Sequence, residues 1–141
     1  MNIIEANGGN ATQREIAVNV VKHCIKKLMP RMRTLNIEIQ LRYIKCDAIG
    51  YCMMTDNNRT FEIEIDKKQS IKDLVTTICH EMVHVKQYAK NQMDDGIRSG
   101  AARWKNRTVS FDTEYYDLPW EKEAYAMQEN LANSVWKNSV I

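Results

Sequence analysis

Residues 70–89 read Ser70-Ile71-Lys72-Asp73-Leu74-Val75-Thr76-Thr77-Ile78-Cys79-His80-Glu81-Met82-Val83-His84-Val85-Lys86-Gln87-Tyr88-Ala89. Ile71, Leu74, Val75, Ile78, Met82, Val85 and Ala89 recur at helical spacing and make a broad apolar stripe. Ser70, with Asp73 three residues on, supplies an N-cap for the start of that helix. Within it, His80-Glu81-Met82-Val83-His84 is an H-E-x-x-H motif. Residues four apart on a helix share a face, so both imidazoles can address one metal ion. Glu81, one step round, can then reach a water molecule beside it. Two of the three histidines in the chain fall inside this motif, which argues against a chance spacing on a solvated surface.

A hydrolytic zinc site takes three protein ligands and leaves a fourth position open. The extended H-E-x-x-H-x-x-G-x-x-H signature requires glycine at 87 and histidine at 90. The chain has Gln87 and Lys90, so the metzincin arrangement is excluded. No histidine follows His84, and His23 lies far upstream in an amphipathic stretch, where a partly buried or surface role is expected. The third ligand is therefore expected to be a carboxylate. Asp94, Asp95, Asp112, Glu114 and Asp117 lie in turn-like or irregular polar sequence and read as solvated loop acids. Glu121 and Glu123 differ, because Pro119 marks a helix start and places both in the first turns of a second long helix. Two residues apart on a helix, they are separated by about 200°, so only one can face the metal. Ala124 and Ala126 are small enough to let that helix approach the first one closely.

Together, His80-Glu81-Met82-Val83-His84 and Pro119-Trp120-Glu121-Lys122-Glu123-Ala124-Tyr125-Ala126 resemble the small gluzincins and SprT-like metallopeptidases often encoded by phages. The resemblance covers residues 70 to 130 and implies a zincin-like fold binding Zn2+. It further implies peptide-bond hydrolysis of a polypeptide substrate, with Glu81 as general base. In such proteins the third ligand opens an E-x-x-A pattern, which here is either Glu121 to Ala124 or Glu123 to Ala126; Glu121 is preferred, giving His80, His84 and Glu121 as the metal set. The resembled fold also implies that an extended substrate pairs with the strand at Thr60 to Asp66, immediately before the metal helix. Two other readings stay open: a metal-binding interaction domain without proteolysis, and an SprT-like protease associated with nucleic acid. The chain has no cysteine-rich zinc ribbon and a formal charge of only +2, so a nucleic-acid partner is not expected.

The remaining sequence fits a single α+β domain over residues 1–141. Hydrophobic residues make up 44% and charged residues 27%, a globular composition. Thr12 and Glu15 suggest a capping box, after which Ile16, Val20, Val21, Cys24, Ile25 and Leu28 trace an amphipathic helix ending before Pro30. The period then changes to two, with Ile37, Ile39, Leu41 and Tyr43 alternating with polar residues. A second strand is expected at 49 to 55, a turn at Asp56-Asn57-Asn58, and a third strand at Thr60 to Asp66. The whole is read as a small antiparallel sheet packed against an N-terminal helix, the metal helix and a C-terminal ligand helix. The segment 93 to 118 is long for a connection. A short hairpin is expected around Lys105-Asn106-Arg107, with Tyr115, Tyr116 and Trp120 folding back over the site. Cys24, Cys46, Cys52 and Cys79 form no C-x-x-C pair, and no leader-like or membrane-length apolar segment is present. Free thiols and a cytoplasmic location, that of the host if phage-encoded, are expected.

Overall fold

A computed structural model describes residues 1–141. The chain opens with strand β1 (Ile3–Gly8), helix α1 (Ala11–Leu28) and strand β2 (Asn36–Arg42). Strands β3 (Gly50–Met54) and β4 (Thr60–Asp66) follow, then helix α2 (Ile71–Ala89). Three two-residue strands come next, β5 (Met93–Asp94), β6 (Arg103–Trp104) and β7 (Arg107–Thr108). A single 3-10 turn (Tyr115–Asp117) leads into helix α3 (Pro119–Lys137). The α+β expectation with three helices holds, and no helix is long and apolar enough to cross a membrane.

The sheet is mixed rather than antiparallel. Its order is β1-β2-β4-β3, with β1, β2 and β4 parallel and only β3 reversed. The cause is connectivity: α1 carries the chain from β1 back to the start of β2, which makes that pair parallel. Strand β3 returns along the outside, so β4 enters between β2 and β3. Thr60 to Asp66 is therefore an interior strand with neighbours on both sides, and it cannot pair with a substrate as the sequence reading expected. The free edge next to α2 belongs to β3.

Alternation along β2 and β4 sends Ile37, Ile39, Leu41, Phe61, Ile63 and Ile65 to one face, where each is essentially inaccessible. The opposite face carries Glu38, Gln40, Glu62 and Glu64, with Arg42 bridging to Glu62 and Glu64. One face alone is thus covered, by α1 and α2, and α3 packs on the far side of α2. Helix α2 consequently runs through the middle of the molecule, and every residue from Thr77 to Gln87 is buried. A helix enclosed on all sides is normally apolar throughout. This one carries a histidine pair, a glutamate, a lysine and a glutamine there, so each polar group must find an internal partner.

Local signals explain the boundaries. Ser70 caps α2 by accepting from the Asp73 backbone N–H, as its sequence suggests. Helix α1 begins before the expected Thr12–Glu15 box. Asn10 accepts from Gln13 N at 2.8 Å while the Gln13 side chain accepts from Asn10 N at 3.0 Å, closing a capping box two residues earlier. The hairpin at Lys105-Asn106 forms as expected. Both residues have positive φ, as a two-residue primed turn demands, and β5 adds a third strand to it.

Gly8 ends β1 at φ +77°, and a Cβ there would lie 2.1 Å from the carbonyl oxygen of Leu41 in β2. No side chain can yield to relieve a backbone clash. Gly8→Ala is expected to lower unfolding free energy by about 2–4 kcal/mol, read as a lower urea midpoint. An unchanged midpoint would contradict the close β1–β2 approach.

Candidate metal centre

The central turns of α2 bring His80, Glu81 and His84 together with Glu121 from the first turn of α3. All four residues are buried. Ligand atoms of His80, Glu81 and His84 lie within 4.8 Å of one another, a group that could hold a metal ion. Glu121 closes it: His80 Nε2 is 3.0 Å from its Oε1, and His84 Nε2 is 3.2 Å from both of its oxygens. Pro119 starts α3, and Ala124, fully buried, sits where the two helices meet. Ala126 is exposed and takes no part in that contact.

The second nitrogen of each imidazole settles the proton. His80 Nδ1 is 2.7 Å from Gln128 Oε1, and His84 Nδ1 is 2.7 Å from Gln87 Oε1. Gln87 cannot be turned over. Its Nε2 donates to the Trp120 carbonyl at 3.0 Å and to Glu123 Oε1 at 3.1 Å, and both of those accept only. Its oxygen must then face His84, so Nδ1 carries a hydrogen; Nε2 donates to Glu121 when the ring is protonated and presents a lone pair there when the ring is neutral. Two imidazole lone pairs and a carboxylate converging on one point call for positive charge there, from a proton or a metal ion. The donor set of two nitrogens and one carboxylate, with both Nδ1–H groups tied down, fits a metal centre with its outer partners in place.

The titration behaviour has the same cause. Burial alone would raise the Glu121 carboxyl, but hydrogen bonds and charge from His80 and His84 outweigh it and hold the group at about 2. Burial would depress His84, yet the Glu121 hydrogen bond and the nearby carboxylates raise it. Glu81 differs from Glu121. Burial raises it, and its Oε2 is enclosed without any hydrogen-bond partner. A carboxylate oxygen in that condition is a strong acceptor for a proton donor brought to it.

Glu123 points away from this group. It pairs with the buried Lys86 and accepts from Gln87, half-buried rather than turned to solvent. It therefore touches the centre only through Gln87. Tyr125 packs edge-on against His80 with ring centroids 4.6 Å apart, while the polar partner of that histidine is Gln128. Gln87 and Gln128 were not singled out from sequence. Their signal was there in helical spacing: Gln87 is three residues from His84, and Gln128 is seven from Glu121, each on the face of its neighbour. His23 is remote from the centre and meets Ser134 Oγ at 2.7 Å. Cys79 is fully buried beside Cys24, away from the imidazoles, and all four cysteines are free.

A cleft of about 960 Å³ opens over the group, walled by Gly50 to Cys52 of β3 on one side and by Tyr115, Tyr116 and Tyr125 on the other. Gly50 allows β3 to lie this close: a Cβ there would come within 2.8 Å of Thr77 Cγ2 and 3.4 Å of Glu81 Cγ. Tyr115 folds back as expected and donates its hydroxyl to Glu121 Oε1 at 3.0 Å. Burial, then its contacts with Tyr125 and Glu121, push that hydroxyl upward, so it remains a donor. The sequence matches no protein-family model, and comparison with curated proteins and with solved structures returned no significant similarity.

The Gln87 amide is thus the hub between the two helices. Gln87→Leu removes the acceptor for a buried Nδ1–H and is expected to cost about 1–3 kcal/mol, measured by urea unfolding in the presence of a chelator. Unaltered stability would mean that the amide does not hold His84.

Proposed function

We propose that this protein is a zinc-dependent peptidase of the gluzincin type, with His80, His84 and Glu121 as metal ligands and Glu81 as general base. The observation that carries the reading is the division of labour between the two glutamates. One has both imidazole Nε2 atoms directed at it, and the other keeps a buried oxygen free beside the cleft. Borderline-soft imidazoles with a single carboxylate suit zinc, and a mere structural site has no use for a fourth, unengaged acid. Zinc held there would supply Lewis acidity, lowering the pKa of water and polarising a carbonyl oxygen.

Glu81 takes a proton from the attacking water and delivers it to the leaving amine, a task suited to a carboxyl whose pKa burial has raised. His80 and His84 are held in one tautomer and orientation by Gln128 and Gln87. Tyr115, its hydroxyl already 3.0 Å from Glu121, is close enough to donate to negative charge developing on a substrate oxygen. The substrate lies along the free edge of β3, where its backbone can pair with Gly50 to Met54, replacing the interior strand β4 in the role first expected of it. The gluzincin resemblance, through its E-x-x-A pattern, supports the same set of residues. The nearly balanced charge offers no support for a nucleic-acid role.

Protein purified from zinc-containing medium is expected to carry about one zinc per chain and to cleave an unfolded protein such as reduced casein. Glu81→Gln should retain the zinc and lose activity by about 100-fold or more. Glu121→Gln should weaken zinc binding by more than about 100-fold, beyond the effect of losing an outer partner. Glu123→Gln should weaken it far less. Metal analysis with zinc titration checks the ligands, and full activity in Glu81→Gln would remove the mechanism.

A further inference from the structure

The cleft does not end at the metal centre. A second hollow of about 610 Å³ adjoins it and shares Cys52, Tyr88 and Met93 as lining. The first follows β3 at Gly50 to Cys52 and the second follows it at Cys52 to Met54, so the two form one groove along the strand's unpaired edge. An extended chain pairing with that edge must cross both.

The ends of the groove carry opposite charge. At the β5–β7 end it is lined by Arg98, Arg103 and Lys105, none of which meets a carboxylate within salt-bridge distance; all the ion pairs of the chain lie elsewhere. Arg98 reaches only the Asp56 carbonyl, at 3.4 Å, and Lys105 lies over the Trp104 ring. Asp94 and Asp95 share this hollow and offset part of that charge, leaving three cations against two carboxylates, and both acids are turned to internal donors. Asp94 accepts from Gly96 N at 2.8 Å, and Asp95 accepts from Ile97 N at 2.9 Å and from the Tyr88 hydroxyl at 2.7 Å. Beyond the metal centre, the lining instead presents Asp47, Asp73 and Glu129, with Lys72 as the one cation and no ion pair among them.

We propose that this groove is a charge-polarised binding site for an extended polypeptide with acidic residues on the N-terminal side of the bond to be cut and basic residues on the C-terminal side. The position of the cut rests on the peptidase reading; the binding polarity does not. Direction follows from β3, which runs from Gly50 beside Glu81 toward Met54 in the second hollow. A ligand antiparallel to it, the more stable pairing, enters over Arg98, Arg103 and Lys105 and leaves past Asp47, Asp73 and Glu129. Backbone pairing gives the register, and the charged ends select which chain and which direction.

The test uses two peptides of identical composition, one with two aspartates before a central apolar segment and two lysines after it, the other with these charges exchanged. Fluorescence anisotropy with Glu81→Gln protein should show the first binding on the order of tenfold more tightly at low salt, the difference shrinking as ionic strength rises. Arg98→Glu combined with Arg103→Glu, both on the exposed surface, should erase or reverse the preference. Equal affinity for the two peptides, or tighter binding of the exchanged one, would overturn the proposal. Wild-type protein that shows the expected preference but cuts neither peptide would uphold the groove and remove the peptidase reading.

Discussion

Everything about this molecule turns on a polar helix segment that is almost wholly withdrawn from solvent. Thr77 to Gln87 is buried throughout, with the sheet on one side and α3 on the other. An unpartnered amide or imidazole in such surroundings costs about 1–3 kcal/mol, and an unpaired charge more. The solution is two short chains of hydrogen bonds between α2 and α3. Lys86 pairs with Glu123, Glu123 accepts from Gln87, and Gln87 accepts from His84. Gln128 accepts from His80, and Glu121 receives both imidazoles. The position of α3 is thereby dictated by the chemistry of α2. What makes the interior tolerable also brings two imidazoles and a carboxylate to one point.

This coupling explains why so much of the site was legible in sequence and why part of it was not. Helix period, the Ser70 cap and the His80–His84 spacing are local properties, and they survive folding unchanged. Glu121 was reachable because Pro119 marks the helix start and helical spacing sets Glu121 and Glu123 on different faces. Which of the two faces α2 is decided by tertiary packing, and the buried Ala124 three residues on from Glu121 was the only local hint. Gln87 and Gln128 gave no motif, since an amide acquires its role only when a buried imidazole is opposite it.

The sheet shows the complementary limit. Alternation in residues 36 to 42 and 60 to 66 reports that one face is buried, but period two is the same for parallel and antiparallel neighbours. Strand β1 is not legible in the sequence because it is an edge whose residues are largely accessible, and the glycine pair at its end reads as a loop. Missing β1 hid the β1-α1-β2 unit, and with it the parallel order that places β4 inside. The free edge therefore depends on a strand whose own sequence carries no alternating pattern, and not on the pattern within β2 or β4.

Topology in turn constrains how the cleft can work. Three parallel strands place their chain direction alike, and only β3, laid down in the opposite sense, borders α2 with an unpaired edge. Its first residue has to be small, because a methyl group at Gly50 would press on Thr77 Cγ2 at 2.8 Å while just touching the Cγ of Glu81. The same residue that admits β3 against the helix thus brings an extended backbone close to the one buried carboxylate oxygen left without a partner. Moving β3 outward would enlarge the cleft and separate the two. Precise placement of an unengaged acid beside a strand edge is hard to account for as a packing requirement, since burial of that acid opposes folding. Under the peptidase proposal, that opposition is the consequence of keeping an acid free beside the strand along which a substrate would lie.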